Sequence, residues 1–424
     1  MSDISNFLEN IFQQAPFLIL FLGLVFFIYG LEYISRTEKF LRFRVKYFPK
    51  DPEFRLGLGH YLLQNNGSLD EAEDEIREAI SLRSSYHTAY YALMQVLLKS
   101  DSTFSEAEEL CDEMIRLFPN DAVGFVYKGF ICWKKNLFSE AEKFFQDALS
   151  MAPRFSLGYC EYGRFLVSRE RLEEARQLFQ KAIDLDPGNR EIQFQFASLL
   201  SRLQEYSEAE KRYRRLISGN SRDVDAYKGL AGVHFSKKEY DKAEKILKKA
   251  LSINSQNSSL LFLLAEVLRN KGEFLDAKEA CEKSIALDPE NANAHLIYGL
   301  LLHNKFSMFD EAESAYRKVI QLKPDYAYAY FELGLLLYAH FQRYIEAEEL
   351  FLKVLELDPD AEEVALYNLA CIRSISGDAN SALDYLKKAM EKGLEPSYAW
   401  SDPELAYVRD DPRFAEILGQ EQTT

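Results

Sequence analysis

An alanine, most often preceded by glutamate, returns along this chain at Ala72, Ala107, Ala141, Ala175, Ala209, Ala243, Ala277, Ala312, Ala347 and Ala382, in steps of 35, 34, 34, 34, 34, 34, 35, 35 and 35. No other feature constrains the fold as much. A period of this length means one supersecondary unit stacked on copies of itself, because so short a unit cannot bury its apolar face alone. Three residues before the alanine stands a large apolar side chain: Leu69, Phe104, Phe138, Leu172, Tyr206, Tyr240, Phe274, Phe309 or Tyr344. Twelve or thirteen residues before it stands Gly129, Gly163, Ala197, Ala231, Ala265, Gly299, Gly334 or Ala370, small enough to let two helices approach closely. Twelve residues after it, Pro119, Pro153, Pro187, Pro289, Pro324 and Pro359 stop a helix and set the turn into the next unit. The pattern predicts an all-α solenoid of ten two-helix units over residues 52–393. Ser84, Ser221 and Ser255 stand in place of the proline in three units and Leu394 in the tenth, which predicts softer turns, especially at "SGNSRD" and "NSQNSS".

The units "GYCEYGRFLVSRERLEEARQLFQKAIDLDPGN", Gly158–Asn189, and "AYFELGLLLYAHFQRYIEAEELFLKVLELDPD", Ala329–Asp360, carry all of these positions. In them the chain resembles the tetratricopeptide repeat (TPR) family. That resemblance implies recognition along the wall built by the first helices of the units. Its groove positions fall here on Tyr91, Val126, Tyr127, Phe130, Trp133, Arg164, Phe194, Arg202, Lys228, Phe235, Phe262, Arg269, Ile297, His303, Phe331 and Tyr338. Aromatics interleaved with a few bases suit proteins or peptides with apolar anchors and some acidic character. Phe194, Phe262 and Phe331 are equally placed to pack between neighbouring first helices. The Lys/Asn set with which chaperone-binding members of the family clamp a C-terminal carboxylate is not reproduced in any unit.

Ahead of the repeats, "APFLILFLGLVFFIYGL" has no charge in a chain that is 28% charged. From Ile11 to Leu31 the uncharged run makes about 31 Å of helix, near the hydrocarbon thickness of a bilayer. A signal peptide would open on Lys or Arg, whereas Asp3 and Glu9 precede this run and no base does. The reading is a transmembrane anchor at 15–34 after a short tail at 1–14, followed by a basic juxtamembrane helix at 35–51. Arg36, Lys39, Arg42, Arg44, Lys46 and Lys50 follow it, which predicts an array on the cytoplasmic side with the N-terminus outside. "FLRFRVKYFPKDPE" itself resembles a second helix closing on proline. At the other end, residues 394–424, Asp402-Pro403 and Asp411-Pro412 are helix starts followed by Leu405, Val408, Phe414, Ile417 and Leu418, as a terminal cap requires.

Acidic residues outnumber basic ones by 67 to 51, so nucleic acid is disfavoured as a partner. The five cysteines form no C-x-x-C pair. The six histidines, His60, His87, His234, His295, His303 and His340, show no metal spacing, and no phosphate loop or nucleophile elbow occurs. The expectation is therefore a membrane-anchored, non-catalytic adaptor without cofactor or metal, bound to protein partners and, through 15–34, to the lipid bilayer. A second reading is a regulatory TPR protein of a membrane protease or a cell-envelope assembly pathway. Its analogue ends in a four-cysteine metal domain that has no counterpart here.

Overall fold

The first nine repeats begin the second helix at the large apolar residue three positions ahead of the buried alanine, and the tenth begins it at Ala379 in the same register. This is seen in a computed structural model that describes residues 38–65, 67–99, 103–358 and 362–419. The tail at 1–14, the anchor at 15–34 and the beginning of the juxtamembrane segment lie outside the described residues. Among those described there is no strand, and no helix is long and apolar enough to cross a membrane.

The chain divides into two compact units at Leu199/Leu200. The first contains α1 (Glu38–Tyr47), α2 (Pro52–Gln64), α3 (Leu69–Leu82), α4 (His87–Leu97), α5 (Phe104–Leu117), α6 (Ala122–Lys134), α7 (Phe138–Met151), α8 (Ser156–Ser168) and α9 (Leu172–Leu185). The boundary falls within α10 (Arg190–Arg202). The second contains α11 (Tyr206–Gly219), α12 (Val224–Ser236), α13 (Tyr240–Ile253), α14 (Ser258–Lys271), α15 (Phe274–Leu287), α16 (Ala292–Leu301), α17 (Phe309–Leu322), α18 (Ala327–Leu336), α19 (Tyr344–Leu357), α20 (Glu362–Ile375) and α21 (Ala379–Glu391). It closes with the short helices α22 (Pro396–Ser401), α23 (Ala406–Arg409) and α24 (Pro412–Leu418).

The turn inside a repeat is made by the residue five before the alanine. Asn136, Glu170, Gln204, Lys238, Gly272, Ser307, Gln342 and Gly377 all have φ between 53° and 86°. The next amide then reaches back across the helix end, as from Leu137 to Cys132 O at 2.9 Å and from Glu239 to His234 O at 2.9 Å, satisfying carbonyls that the helix leaves free. Two repeats have one residue more between Gly299 and Ala312 and between Gly334 and Ala347. There α16 and α18 end in π-turns, Leu302–Phe306 and Leu337–Phe341, and the closing amides of Met308 and Arg343 reach Leu302 O and Leu337 O. An inserted residue widens the helix locally and leaves the packing register intact.

The proline is not what ends the second helices. α3, α11 and α13, which have serine at the proline position, stop at the same register as α9 and α15, which have proline. N-caps begin the following first helices: Asp121, Asn189, Asp223, Asn257 and Asn291 accept backbone amides at 3.0–3.3 Å.

Within each repeat the alanine is fully buried, and the residue four after it fills the space between the two helices. That residue is Phe145, Phe179, Tyr316 or Phe351 where the facing small residue is Gly129, Gly163, Gly299 or Gly334. A Cβ on those glycines would stand 3.1, 3.1, 2.8 and 3.0 Å from the ring. Where the filler is Leu247, Cys281 or Leu386, the small residue is Ala231, Ala265 or Ala370. Four of the five aromatic fillers thus face a glycine; Tyr213 is the exception, with Ala197 at the small position.

α1 takes the place of a second helix ahead of the first repeat. Leu41 packs with Leu58, Leu62 and Ala72, and Arg42 pairs with Glu71 as Arg77 pairs with Glu106 one repeat later. At the far end, Asp402 and Asp411 cap the turns that begin at Pro403 and Pro412, and Leu405, Val408 and Phe414 are buried completely.

Candidate functional site

The first helices of the first unit carry an aromatic row. Tyr127, Phe130 and Trp133 are half-buried on α6; the Phe130 and Trp133 rings meet edge to face at 5.8 Å, and Lys134 Nζ lies 5.6 Å from the Phe130 ring. Trp133 also meets Phe165 of α8 at 6.0 Å, so it joins two repeats as well as facing outward. Burial pushes the Tyr127 hydroxyl up to about 12. On α4, Tyr91 donates to Asp121 and lies 2.6 Å from His87 Nε2, so its hydroxyl serves the α4–α6 junction. Val126 is buried and Phe194 half-buried beneath Arg190, 5.5 Å from its ring.

Arg164 is engaged within its own helix. Its guanidinium donates to both oxygens of Glu161 at 2.9 Å, one helical turn back, while burial holds the Glu161 carboxyl above the usual carboxylate range. The same spacing recurs in the second unit. Glu266 on α14 is likewise raised by burial and eased back by Arg269, whose Nε is buried without a hydrogen bond among the described residues. Glu332 on α18 is buried and raised for the same reason. Two of the three arginines expected in the groove, Arg164 and Arg269, thus stand beside a carboxylate of this chain.

The remaining positions of the second unit have separate fates. Arg202 and Lys228 are exposed. Phe235 packs on Tyr240 at 5.7 Å, Phe331 on Phe351 at 5.9 Å, Phe262 against the core of its repeats, and Ile297 is buried. His303 lies in the first π-turn, 5.2 Å from His340 in the second, and His340 stacks on Phe309 at 3.8 Å. Burial, with His340 adding to it, lowers the His303 pKa. Spacing alone did not show this pair, since the two residues come from successive repeats.

Tyr338 is turned to the chain's own C-terminus. It is buried, and its hydroxyl donates to Glu404, while Tyr367 donates to Asp402 and Cys371 Sγ lies 3.8 Å from the same carboxylate. The turn Asp402-Pro403-Glu404 thus occupies first-helix positions of the last two repeats. The donor atoms of Cys371, Asp402 and Glu404 lie within 4.8 Å of one another, the spacing of a metal-ligand set. The tyrosine hydroxyls already donate to both carboxylates, however, and burial raises the Cys371 thiol, so the group reads as a clasp for the cap. All five cysteines are free and buried, with Cys111, Cys160 and Cys281 pushed up to about 12 by burial.

The repeat geometry agrees with the sequence comparisons. Residues 56–122 and 307–362 match the family described as tetratricopeptide repeat, and residues 131–286 match the middle TPR-like domain of cilia and flagella-associated protein 70. The chain is a tetratricopeptide repeat protein. As a TPR scaffold it belongs to a fold that mediates protein interactions. Among solved structures, a monomeric mutant of IFIT1 with Gppp-AAAA is 15% identical, over 81% of this chain and 91% of that one, with a TM-score of 0.52. Yeast Tom70 is 16% identical over 96% and 100%, with a TM-score of 0.48. MamA is 23% identical over 38% and 94%, with a TM-score of 0.35. Comparison with curated proteins finds no match. At these identities the likeness concerns the fold alone.

Proposed function

We propose that this TPR protein is a membrane-tethered, non-catalytic adaptor. The apolar segment at 15–34, uncharged as far as Leu31, anchors it, the bases from Arg36 to Lys50 keep the array on the cytoplasmic side, and the first-helix face holds protein partners close to the bilayer. One observation carries the binding part of this reading. Tyr127, Phe130 and Trp133 line one face of α6 and are only half-buried among the described residues, whereas Tyr338 is buried against Glu404. Tyrosine, tryptophan and arginine dominate binding hot spots. Because Glu161 and Glu266 stand beside Arg164 and Arg269, the preferred partner is a segment with apolar anchors and amide or basic donors, in place of an acidic one.

The test has two arms. Pull-downs from solubilised membranes with the Trp133→Ala/Arg164→Ala protein should lose specific partners while helix content and membrane attachment persist. In protease-protection experiments the C-terminus should be digested from the cytoplasmic side. Partners retained at undiminished yield would remove the α6 face from the reading, and a C-terminus protected on that side would remove the topology.

A further inference from the structure

A second site lies away from the first-helix face, between the second helices α11 and α13. A depression of about 450 Å³ opens there, floored by Tyr227, Leu230 and His234 of α12. That is within the range of small-molecule sites, about 300–1,000 Å³. Its rim is cationic: Arg214 on one side and Lys242, Lys245 and Lys249 on the other. The setting is unusual for this chain. The segment Lys211–Lys249 carries twelve Lys and Arg against five Asp and Glu, whereas the whole chain has a net charge of −16.

Two of the four cations are already compensated, Arg214 by Glu210 at 2.8 Å and Lys242 by Glu239 at 3.2 Å. Lys245 and Lys249 make no ion pair among the described residues; Lys249 Nζ lies 5.3 Å from the centre of the Tyr227 ring. The Tyr227 hydroxyl is buried without a hydrogen-bond partner; Nε2 of His234, also without a hydrogen bond, lies 3.7 Å from Glu210 Oε1, and its Nδ1 is held by Glu239 at 2.6 Å. A buried polar atom left unpaired costs about 1–3 kcal/mol. The cations around Tyr227 are donors only, so a ligand that brings an acceptor gains the hydrogen bond its O–H lacks. Leu230 and Ile246 add apolar wall beside the charges.

We infer that this depression binds a phosphate monoester carried on an aromatic or apolar body. The phosphate sits between Lys245 and Lys249 with Tyr227 donating to it, and the body lies on Leu230 and Ile246. The site is independent of the groove on α6.

Phenyl phosphate is the probe, titrated calorimetrically into the full chain in detergent, with phenol and inorganic phosphate as comparators. Phenyl phosphate should bind at one site at least tenfold more tightly than either comparator. Lys245→Gln/Lys249→Gln, at two exposed positions, should weaken it tenfold or more, and Tyr227→Phe several-fold. The control Lys278→Gln/Lys283→Gln should leave it unchanged. Equal binding of the comparators overturns the site, and so does an equal loss in the control variant, which would mean diffuse charge attraction. A phosphotyrosine peptide that binds more tightly than phenyl phosphate supports the site with a modified protein as the source. One that binds less tightly supports it with a small phosphate ester.

Discussion

The hydroxyl of Tyr338, in the π-turn that ends α18, donates to the carboxylate of Glu404, 66 residues further along the chain. Beside it Leu405 is fully buried, so this turn fastens the cap to the last repeats. Leu405→Ala should destabilise by about 2–5 kcal/mol, as large-to-small core changes do. In a repeat array the loss is local. Hydrogen exchange should show faster opening across residues 362–418 with unchanged protection in α6 and α8. Tyr338→Phe should cost about 1 kcal/mol and leave partner capture untouched.

Gly299 faces Tyr316, whose Cε1 would lie 2.8 Å from a new Cβ. Gly299→Ala should therefore cost about 1–3 kcal/mol by overpacking. Combining it with Tyr316→Leu recreates the alanine–leucine pairing of Ala231 and Leu247. Urea melts of the two single variants and the double should give a destabilisation clearly smaller than the sum. Additive losses would mean that the two residues do not share one volume.

Lys238 makes the turn before α13 with φ 60°, and its side chain is exposed. A left-handed residue with a Cβ costs about 1–2 kcal/mol, part of which glycine gives back in chain entropy. Lys238→Gly should raise stability by about 0.5–1 kcal/mol and Lys238→Val should lower it. Thermal melts of the two variants, moving in opposite directions, check the turn assignment.

Burial raises the Glu332 carboxyl above its ordinary value of 4.5, and the hydrogen bond from Tyr328 offsets this only in part. The folded state therefore holds this proton more tightly than the unfolded state. The group's contribution is full below the unfolded value and is lost as pH rises through the folded value, so at neutrality it is a cost. Glu332→Gln keeps an acceptor for Tyr328 and removes the titration. Its urea midpoint at pH 7 should equal or exceed that of the parent, and the advantage should vanish in acid. Glu239 has the opposite sign: His234 and Lys242 hold it down to about 2, so its contribution is present above the unfolded value and is lost as pH falls.

Periodicity by itself determined the repeat, the helix pairs and the buried alanines, because each is a local demand repeated along the array: an apolar residue to start a helix, a small one to let helices meet, an Asp or Asn to cap the next; the Asp-Pro pairs after the last repeat marked the terminal cap. It also contained the glycine–aromatic exchange and the N-caps, both at constant offsets from the alanine, although neither is visible until the partners are seen in contact. Which groove residues are available to a partner was decided only in three dimensions. Arg164 met Glu161, Tyr338 met Glu404, His303 met His340 from the next repeat, and Lys245 and Lys249 were left beside the buried hydroxyl of Tyr227. A side chain's charge and size belong to its position in the sequence. Whether that charge is neutralised or that ring covered depends on neighbours one repeat or more away, and these are set by how the helices stack.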